Sequence, residues 1–371
     1  MEQITELKSD KLILLDKICL YNFSVILVDD VENLQAAEII TKKEKQAKYV
    51  TLVTGETFST LHIKQTEFFD DFFYGVRKND IRGYIEMSVP NDGFHNLNCL
   101  TVKQYSQRIK DTAYFLQKNY GITVDFSNLK FKSMEINKTI ILNHNFQEYR
   151  RPIALMMYLL PNILRLKEAD FSETDIHPTK IENYRRNIST YTKSSGKKGI
   201  SVKVYDKKKQ LEMCFKIFTL HNYLRYEITL KSSTKIKLAF GDNSFSAITD
   251  ELIQHYFINF IICNIVNPYN SHCKKRDTAL RRILKANYEP ESKTWTRDTL
   301  AAIREIEIKN GIPFMLEIEE LNLQIGCLKI DNKQKRYNLK KRFIQLCEDQ
   351  NSIFIQNDGR KYDELVGKLL F

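Results

Sequence analysis

Four separated segments of the chain alternate apolar and polar residues, and this pattern constrains the fold more than any other feature. They are GYIEMSVP, KSMEINKTI, GISVKVYDK and YLRYEITLK, which begin at residues 83, 132, 199 and 223. A strand sends successive side chains to opposite faces, so each segment predicts a strand with one apolar and one polar face. One antiparallel sheet with helices against its apolar side would accommodate all four segments.

Other segments of the first two-thirds predict further strands and helices. Residues 11–28 and 50–63 read as strands. Apolar residues recur on one helical face from Thr101 to Asn119, and Gly121 follows as a stop signal. The segment from Phe146 to Leu166, rich in Leu, Met and Ile, predicts a second helix.

After about residue 245 the chain changes to segments of helical period. These segments are Ile248–Val266, Asp277–Ala286, Arg297–Lys309 and Asn338–Asp349. We therefore expect an α+β domain over residues 1–245, with an antiparallel sheet covered by helices on one face. A mostly helical domain is expected over residues 246–371.

The charge balance favours a polyanionic partner. The 371 residues include 57 Lys and Arg against 46 Asp and Glu, a net charge of +11, which indicates nucleic acid first and acidic lipid second. Seven cysteines without C-x-x-C spacing indicate reduced thiols, not a disulfide framework or a zinc site. The N-terminus lacks signal-peptide character, and the most apolar run is too short to span a bilayer. A soluble, cytoplasmic protein is expected.

The polar faces of the four predicted strands carry three carboxylates, a tyrosine and several cations. Any one such face is typical of a solvated strand, and His95 after the first segment is typical of a turn. Together they suit phosphodiester transfer to tyrosine. A phenol is a weak nucleophile at neutral pH until its charge and that of the phosphate are offset. A divalent cation held by carboxylates, with one histidine, would polarise the phosphate.

The same segments carry a resemblance to a known family. GYIEMSVPNDGFHNLN, KFKSMEINKTIILN, SVKVYDKKKQLE and YLRYEITLK, in this order, resemble motifs of the replication initiators of filamentous phages, the gene II protein type. Related phage and plasmid rolling-circle initiators share them. The resemblance runs through most of the first 240 residues. The His-hydrophobic-His triplet that the wider superfamily uses to bind metal does not occur here, so the metal ligands are the least constrained part of the resemblance.

The resemblance implies a nicking-relaxase or RRM-like palm and a nicking reaction. Such initiators cut one strand of a supercoiled origin, keep a 5′-phosphotyrosine, leave a 3′-OH primer and later rejoin the displaced strand. They need Mg²⁺ or Mn²⁺ and act on single-stranded and supercoiled DNA with host helicase and polymerase. The residues implied are Tyr205 and Lys207 for catalysis, Glu86, His95 and Glu135 for metal, Lys203, Lys208 and Arg225 for DNA, and Glu227 and Asn137 in support.

Two other functions are compatible with parts of the sequence. A tyrosine recombinase would use arginines such as Arg185 and Arg186, but its tyrosine is helical and Tyr205 lies in a predicted strand. A non-catalytic, sequence-specific DNA-binding protein would read DNA with the C-terminal helices. Their basic runs, residues 272–285 and 333–343, fit either phosphate contacts or solvated helix faces.

Overall fold

The computed structural model describes most of the chain, with gaps. The described ranges are 6–7, 9, 11–28, 50–55, 58–64, 66–77, 80–90, 92–161, 165–169, 188–196, 199–286, 332–348 and 358–371, with short pieces between 294 and 330. Most of the helix predicted at Arg297–Lys309 lies outside these residues, as do Arg185 and Arg186. No helix in the described ranges is both long and apolar enough to cross a membrane.

Twelve strands are described. They are β1 (Ile13–Tyr21), β2 (Ser24–Val28), β3 (Val50–Gly55), β4 (Phe58–Lys64), β5 (Asp71–Arg77), β6 (Asp80–Ser88), β7 (Ile122–Asp125), β8 (Lys130–Leu142), β9 (Arg165–Ala169), β10 (Thr190–Ser194), β11 (Ile200–Asp206) and β12 (Asn222–Leu230). Each of the four alternating segments lies on its own strand, as predicted. The runs 11–28 and 50–63 each form two strands, and the first is broken at Asn22, whose φ is 69°.

Nine α-helices are described. They are α1 (Gly93–Asn98), α2 (Val102–Tyr120), α3 (Arg150–Leu159), α4 (Lys207–Gln210), α5 (Ser233–Phe240), α6 (Asp250–Ile261), α7 (Asn267–Ala286), α8 (Lys333–Glu348) and α9 (Asp358–Leu370). A 3₁₀ turn, Phe146–Tyr149, precedes α3. π-helical turns, Leu211–Phe215 and Ile262–Val266, follow α4 and α6. The α+β class, the antiparallel sheet and the helical C-terminal region are confirmed.

Helix α2 begins and ends where the sequence predicts. Thr101 and Gln104 form a reciprocal capping box, and Gly121 ends the helix with a φ of 63°. The helix predicted from Phe146 to Leu166 is shorter than expected. Leu160 already has an extended ψ of 152°, as favoured before Pro161, and β9 begins at Arg165.

The chain forms two compact units that are interleaved along the sequence. The first comprises Met1–Ile141, Ser194–Lys203 and Lys207–Phe257, and the second comprises Leu142–Lys193, Val204–Asp206 and Ile258–Phe371. Residues 246–257 therefore belong to the first unit. There, the Asp250 carboxylate accepts a hydrogen bond of 2.7 Å from the Val102 amide, and Phe257 packs edge-on against Tyr226. A fragment ending near residue 245 would lose these contacts.

In the first unit the strand order is β3-β4-β5-β6-β1-β8-β12, followed by residues 200–203 of β11, and β2 pairs with β7 separately. The pairs from β3 to β8 are antiparallel. Register aligns the apolar sides: Ile18 lies opposite Met87 and Met134, and all three are buried. On the other face, Lys17 lies opposite Ser88 and Glu135. The predicted separation of apolar and polar faces is therefore present at the centre of the sheet.

In the second unit, the C-terminal helix α9 packs beside α3 and the turn before it. The Tyr149 hydroxyl donates to the Glu364 carboxylate at 2.7 Å, and Lys361 donates to Glu148 at 2.9 Å. Strands β9 and β10 are neighbours in this unit. The basic runs 272–285 and 333–343 lie on α7 and α8, as their helical period predicts.

Candidate metal centre

A β-bulge brings Asp16 into the polar face of the sheet. Leu15 pairs with Ile136 and Lys17 pairs with Glu135, so Asp16 is an extra residue in β1. A bulge lets two consecutive residues oppose one residue of the partner strand and re-aims their side chains. Leu15 before the bulge and Ile18 after it are both fully buried, although they are three residues apart.

Asp16, Glu135 and Glu227 form a carboxylate cluster. One oxygen from each lies within 4.8 Å of the others, and the three residues come from the adjacent strands β1, β8 and β12. Glu227 is 6% exposed. Three carboxylates this close repel one another unless a proton or a cation is shared among them. Because every donor is a carboxylate oxygen, the cluster suits a hard divalent ion such as Mg²⁺ or Mn²⁺.

The surroundings of Glu135 favour its neutral form in the metal-free protein. Burial, followed by the negative charges of Glu227 and Asp16, raises the pKa of Glu135 to about 8. Lys17 and Lys203 act in the opposite direction. The cluster therefore holds a proton at neutral pH that an incoming cation would displace.

Arg225 braces the cluster from the protein interior. Its guanidinium donates to Asp16 at 3.2 Å, to the Asn96 and Leu97 carbonyls at 2.7 Å each, and to the Thr139 hydroxyl at 2.9 Å. The side chain is completely buried. The prediction that Arg225 contacts DNA is therefore corrected: its donors fix Asp16 against the last turn of α1.

Lys207 is also buried. It opens α4 directly after β11, is 2% exposed, and donates to Gln210 at 2.8 Å. Burial, and then the charge of Arg225, lower the pKa of Lys207 to about 7, while Asp16 and Glu227 oppose the shift. Lys207, the lysine predicted to take part in catalysis, is therefore not open to a bound phosphate in this conformation. Lys203 and Lys208, the other predicted DNA contacts, are partly exposed.

Glu86 and His95 do not join the carboxylate cluster. Glu86 lies on the same sheet face but forms an ion pair with Lys17. His95 lies on α1, where its ring contacts the Asp92 carboxylate at 2.8 Å and its amide donates to the same side chain at 2.7 Å. Among the residues that the structure describes, only Asp16, Glu135 and Glu227 form such a group. Of the three predicted metal ligands, the structure groups only Glu135 with Asp16 and Glu227 and leaves Glu86 and His95 outside the cluster.

Asn137 has a structural place. It is 2% exposed, and its amide donates to the Leu14 carbonyl and to the Cys99 sulfur, each at 3.3 Å. These contacts hold β8 to β1 and the segment after α1, so the predicted supporting role at a metal is not what its side chain does in this conformation.

Tyr205 lies near the end of β11 and is 1% exposed. The neighbouring apolar residues Val202 and Val204 are buried as the alternation predicts. Tyr205, however, is buried as well, instead of lying on an open polar face. A DNA strand does not reach its phenol in this conformation.

Asp16 is the member of the carboxylate cluster that the sequence pattern missed. It lies within the apolar run ILLDKICL, where an acidic residue is costly unless it has a partner. That interruption was the available signal. The pattern does not show that a bulge turns this side chain toward Glu135.

The affinity of the cluster for Mn²⁺ is expected to rise with pH up to about 8 and to change little above it, because Glu135 must lose its proton to bind the ion. Titration calorimetry at pH 7 in buffers of different ionisation enthalpy should show release of about one proton per ion. Glu135→Gln removes the titrating group and serves as the control. An affinity that is independent of pH from 6 to 8 would contradict this description of the site.

Comparison with solved structures finds a rolling-circle replication initiator protein from Geobacillus stearothermophilus as a neighbour. The TM-score is 0.34 with 12% sequence identity, and the match covers 68% of this chain and 84% of that chain. No protein-family model matches this chain, and no curated protein matches it.

Proposed function

We propose that this chain is a metal-dependent DNA-nicking enzyme that initiates rolling-circle replication. The observation that carries the proposal is the cluster of Asp16, Glu135 and Glu227 on three neighbouring strands. These residues would hold Mg²⁺ or Mn²⁺, which when bound polarises the scissile phosphate. The net charge of +11 suits a DNA substrate.

Tyr205 is the proposed nucleophile. It follows Lys203 by two residues on β11, so alternation turns both side chains to one side of that strand. Lys203 is close enough to Glu135 to lower its pKa, opposing the larger effect of burial. The attack forms a bond between the tyrosine oxygen and phosphorus and breaks the bond to O3′, which leaves as a 3′-OH after protonation. Because Tyr205 is buried, the end of β11 must open when DNA binds.

The proposed substrates, phosphate contacts and later steps follow from the nicking reaction. Single-stranded and supercoiled double-stranded origin DNA are the proposed substrates, and helices α7 and α8 would supply phosphate contacts from their basic runs. A host helicase and polymerase in the cytoplasm would extend the 3′-OH, and attack by a 3′-OH on the phosphotyrosine would rejoin the displaced strand.

A second candidate function is sequence-specific DNA binding without catalysis. The burial of Tyr205 favours it, because a residue that stays in the core cannot act as a nucleophile. In that case the carboxylate cluster would bind a cation only to stabilise the sheet.

The full-length protein with Mn²⁺ is expected to nick supercoiled DNA from its own replicon and to become covalently attached to single-stranded fragments of it. Denaturing gels detect the adduct, and primer extension maps the nick. Excess EDTA should abolish both products. Binding of the origin with neither nick nor adduct would instead support the non-catalytic function.

A further inference from the structure

An exposed apolar ridge, defined here as Phe218 and Leu220, follows the π-helical turn after α4. Burial alternates along this segment: Ile217 and Thr219 are 6% and 8% exposed, whereas Phe218 and Leu220 are 42% and 65% exposed. The two large apolar side chains therefore project together from a short segment whose other side is buried.

The segment beneath the ridge is held in place by several contacts. Ile217 packs in a buried cluster with Leu97, Leu211 and Tyr223. Its amide donates to the Leu211 carbonyl at 3.1 Å, and the Thr219 hydroxyl donates to the His221 carbonyl at 3.1 Å. The segment that carries the ridge is therefore held in place by buried packing and hydrogen bonds.

The ridge lies in strongly basic sequence. Residues 208–221 contain three lysines and one acidic residue, Glu212. Lys216, two residues before Phe218, is exposed and has a φ of 58°. An aromatic or aliphatic surface flanked by cations is the combination that binds single-stranded nucleic acid, because bases stack on the apolar groups while lysines contact phosphates.

A short chain of contacts connects the ridge to the carboxylate cluster. Leu97, which packs with Ile217 under the ridge, accepts a hydrogen bond of 2.7 Å from Arg225 through its carbonyl. Arg225 also donates to Asp16. Both features belong to the first unit.

We propose that the ridge stacks against unpaired bases of the DNA strand that is cut at the carboxylate cluster. This inference rests on the proposed nicking function and adds a binding surface to it. In duplex DNA the base faces are covered by neighbouring bases, so the ridge selects single-stranded or locally opened DNA. The lysines alone would bind either form.

The test compares Phe218→Ala with Leu238→Ala, which truncates a more exposed apolar residue on α5 of the same unit. Affinities for a labelled single-stranded oligonucleotide and its duplex are measured by fluorescence anisotropy in EDTA, so that no cleavage occurs. Phe218→Ala is expected to weaken single-strand binding about tenfold, the effect of losing one stacked base. Leu238→Ala and duplex binding should not change.

Phe218→Trp provides a second readout. Tryptophan keeps the stacking surface, so binding should be retained and its fluorescence quenched by the oligonucleotide. The chain has one natural tryptophan, Trp295, which Trp295→Phe removes from the background. No quenching in a variant that binds DNA would overturn the proposal, as would an equal loss of single-strand and duplex affinity in Phe218→Ala.

The results of these experiments distinguish failure of the ridge proposal from failure of the proposed nicking function. If the wild-type protein cleaves DNA while Phe218→Ala binds single strands as well as the wild type does, only the ridge proposal fails. If the wild-type protein binds no single-stranded DNA and forms no adduct, both proposals fail. Loss of self-association in Phe218→Ala without any change in DNA affinity would identify the ridge as a contact between protein chains and overturn its role in DNA binding.

Discussion

Glu135→Gln is expected to abolish Mn²⁺-dependent nicking and yet to stabilise the metal-free protein. The folded-state pKa of Glu135 is raised from 4.5 to about 8. As pH rises, the unfolded chain therefore loses this proton first, and stability falls from about pH 4.5 to pH 8. Glutamine resembles the protonated acid and removes that cost, which is on the order of 4 kcal/mol at pH 8.

Thermal melts from pH 5 to pH 8.5, with and without Mn²⁺, measure both effects. The wild-type protein should lose stability toward pH 8 and regain it with Mn²⁺, whereas Glu135→Gln should melt higher without metal and gain little from it. Glu86→Gln is the matched control, since Glu86 is on the same sheet face but outside the cluster. Mn²⁺ stabilisation that survives Glu135→Gln but disappears in Glu86→Gln would place the ion at Glu86 and contradict the carboxylate cluster as its site.

Tyr205→Phe is expected to eliminate the covalent adduct while preserving the fold. The ring keeps its packing and only the hydroxyl is removed, so the loss of stability should be about 1 kcal/mol. Without the nucleophilic oxygen, strand cleavage should fall by at least about a thousandfold, equivalent to roughly 4 kcal/mol in the barrier. Adduct formation is followed on denaturing gels with a labelled oligonucleotide that contains the mapped nick site.

Tyr226→Phe is the control for this substitution. Tyr226 is also a fully buried strand tyrosine, and its hydroxyl has no hydrogen-bond partner among the described residues. This variant should form the adduct at the wild-type rate. If Tyr205→Phe still cuts DNA and leaves a free 5′-phosphate, water attacks in place of tyrosine and the enzyme is a hydrolytic nuclease.

The alternating strands and helix α2 could be predicted from the sequence because local side-chain period determines them. Glu135 and Glu227 could be singled out from the sequence because each lies on the polar face of such a strand. The alternation along one strand does not show which part of its polar face is covered by other helices and strands. Arg225 was therefore expected to contact DNA, although it is fully buried and donates to carbonyls in the last turn of α1. The grouping of residues 246–257 with the first unit likewise depends on contacts distant in sequence, such as Phe257 with Tyr226.

The bulge at Asp16 has a consequence for how such a site is gained or lost in evolution. Deleting one residue at the bulge would restore regular alternation of buried and polar side chains in β1. The buried residues Ile13, Leu15, Ile18 and Leu20 would then follow one another at every second position. The apolar alternation of β1 would survive that deletion, while the cluster would lose one of its acids and Arg225 would lose a carboxylate partner. A single-codon deletion would therefore be enough to separate the inheritance of the sheet from the inheritance of its carboxylate cluster.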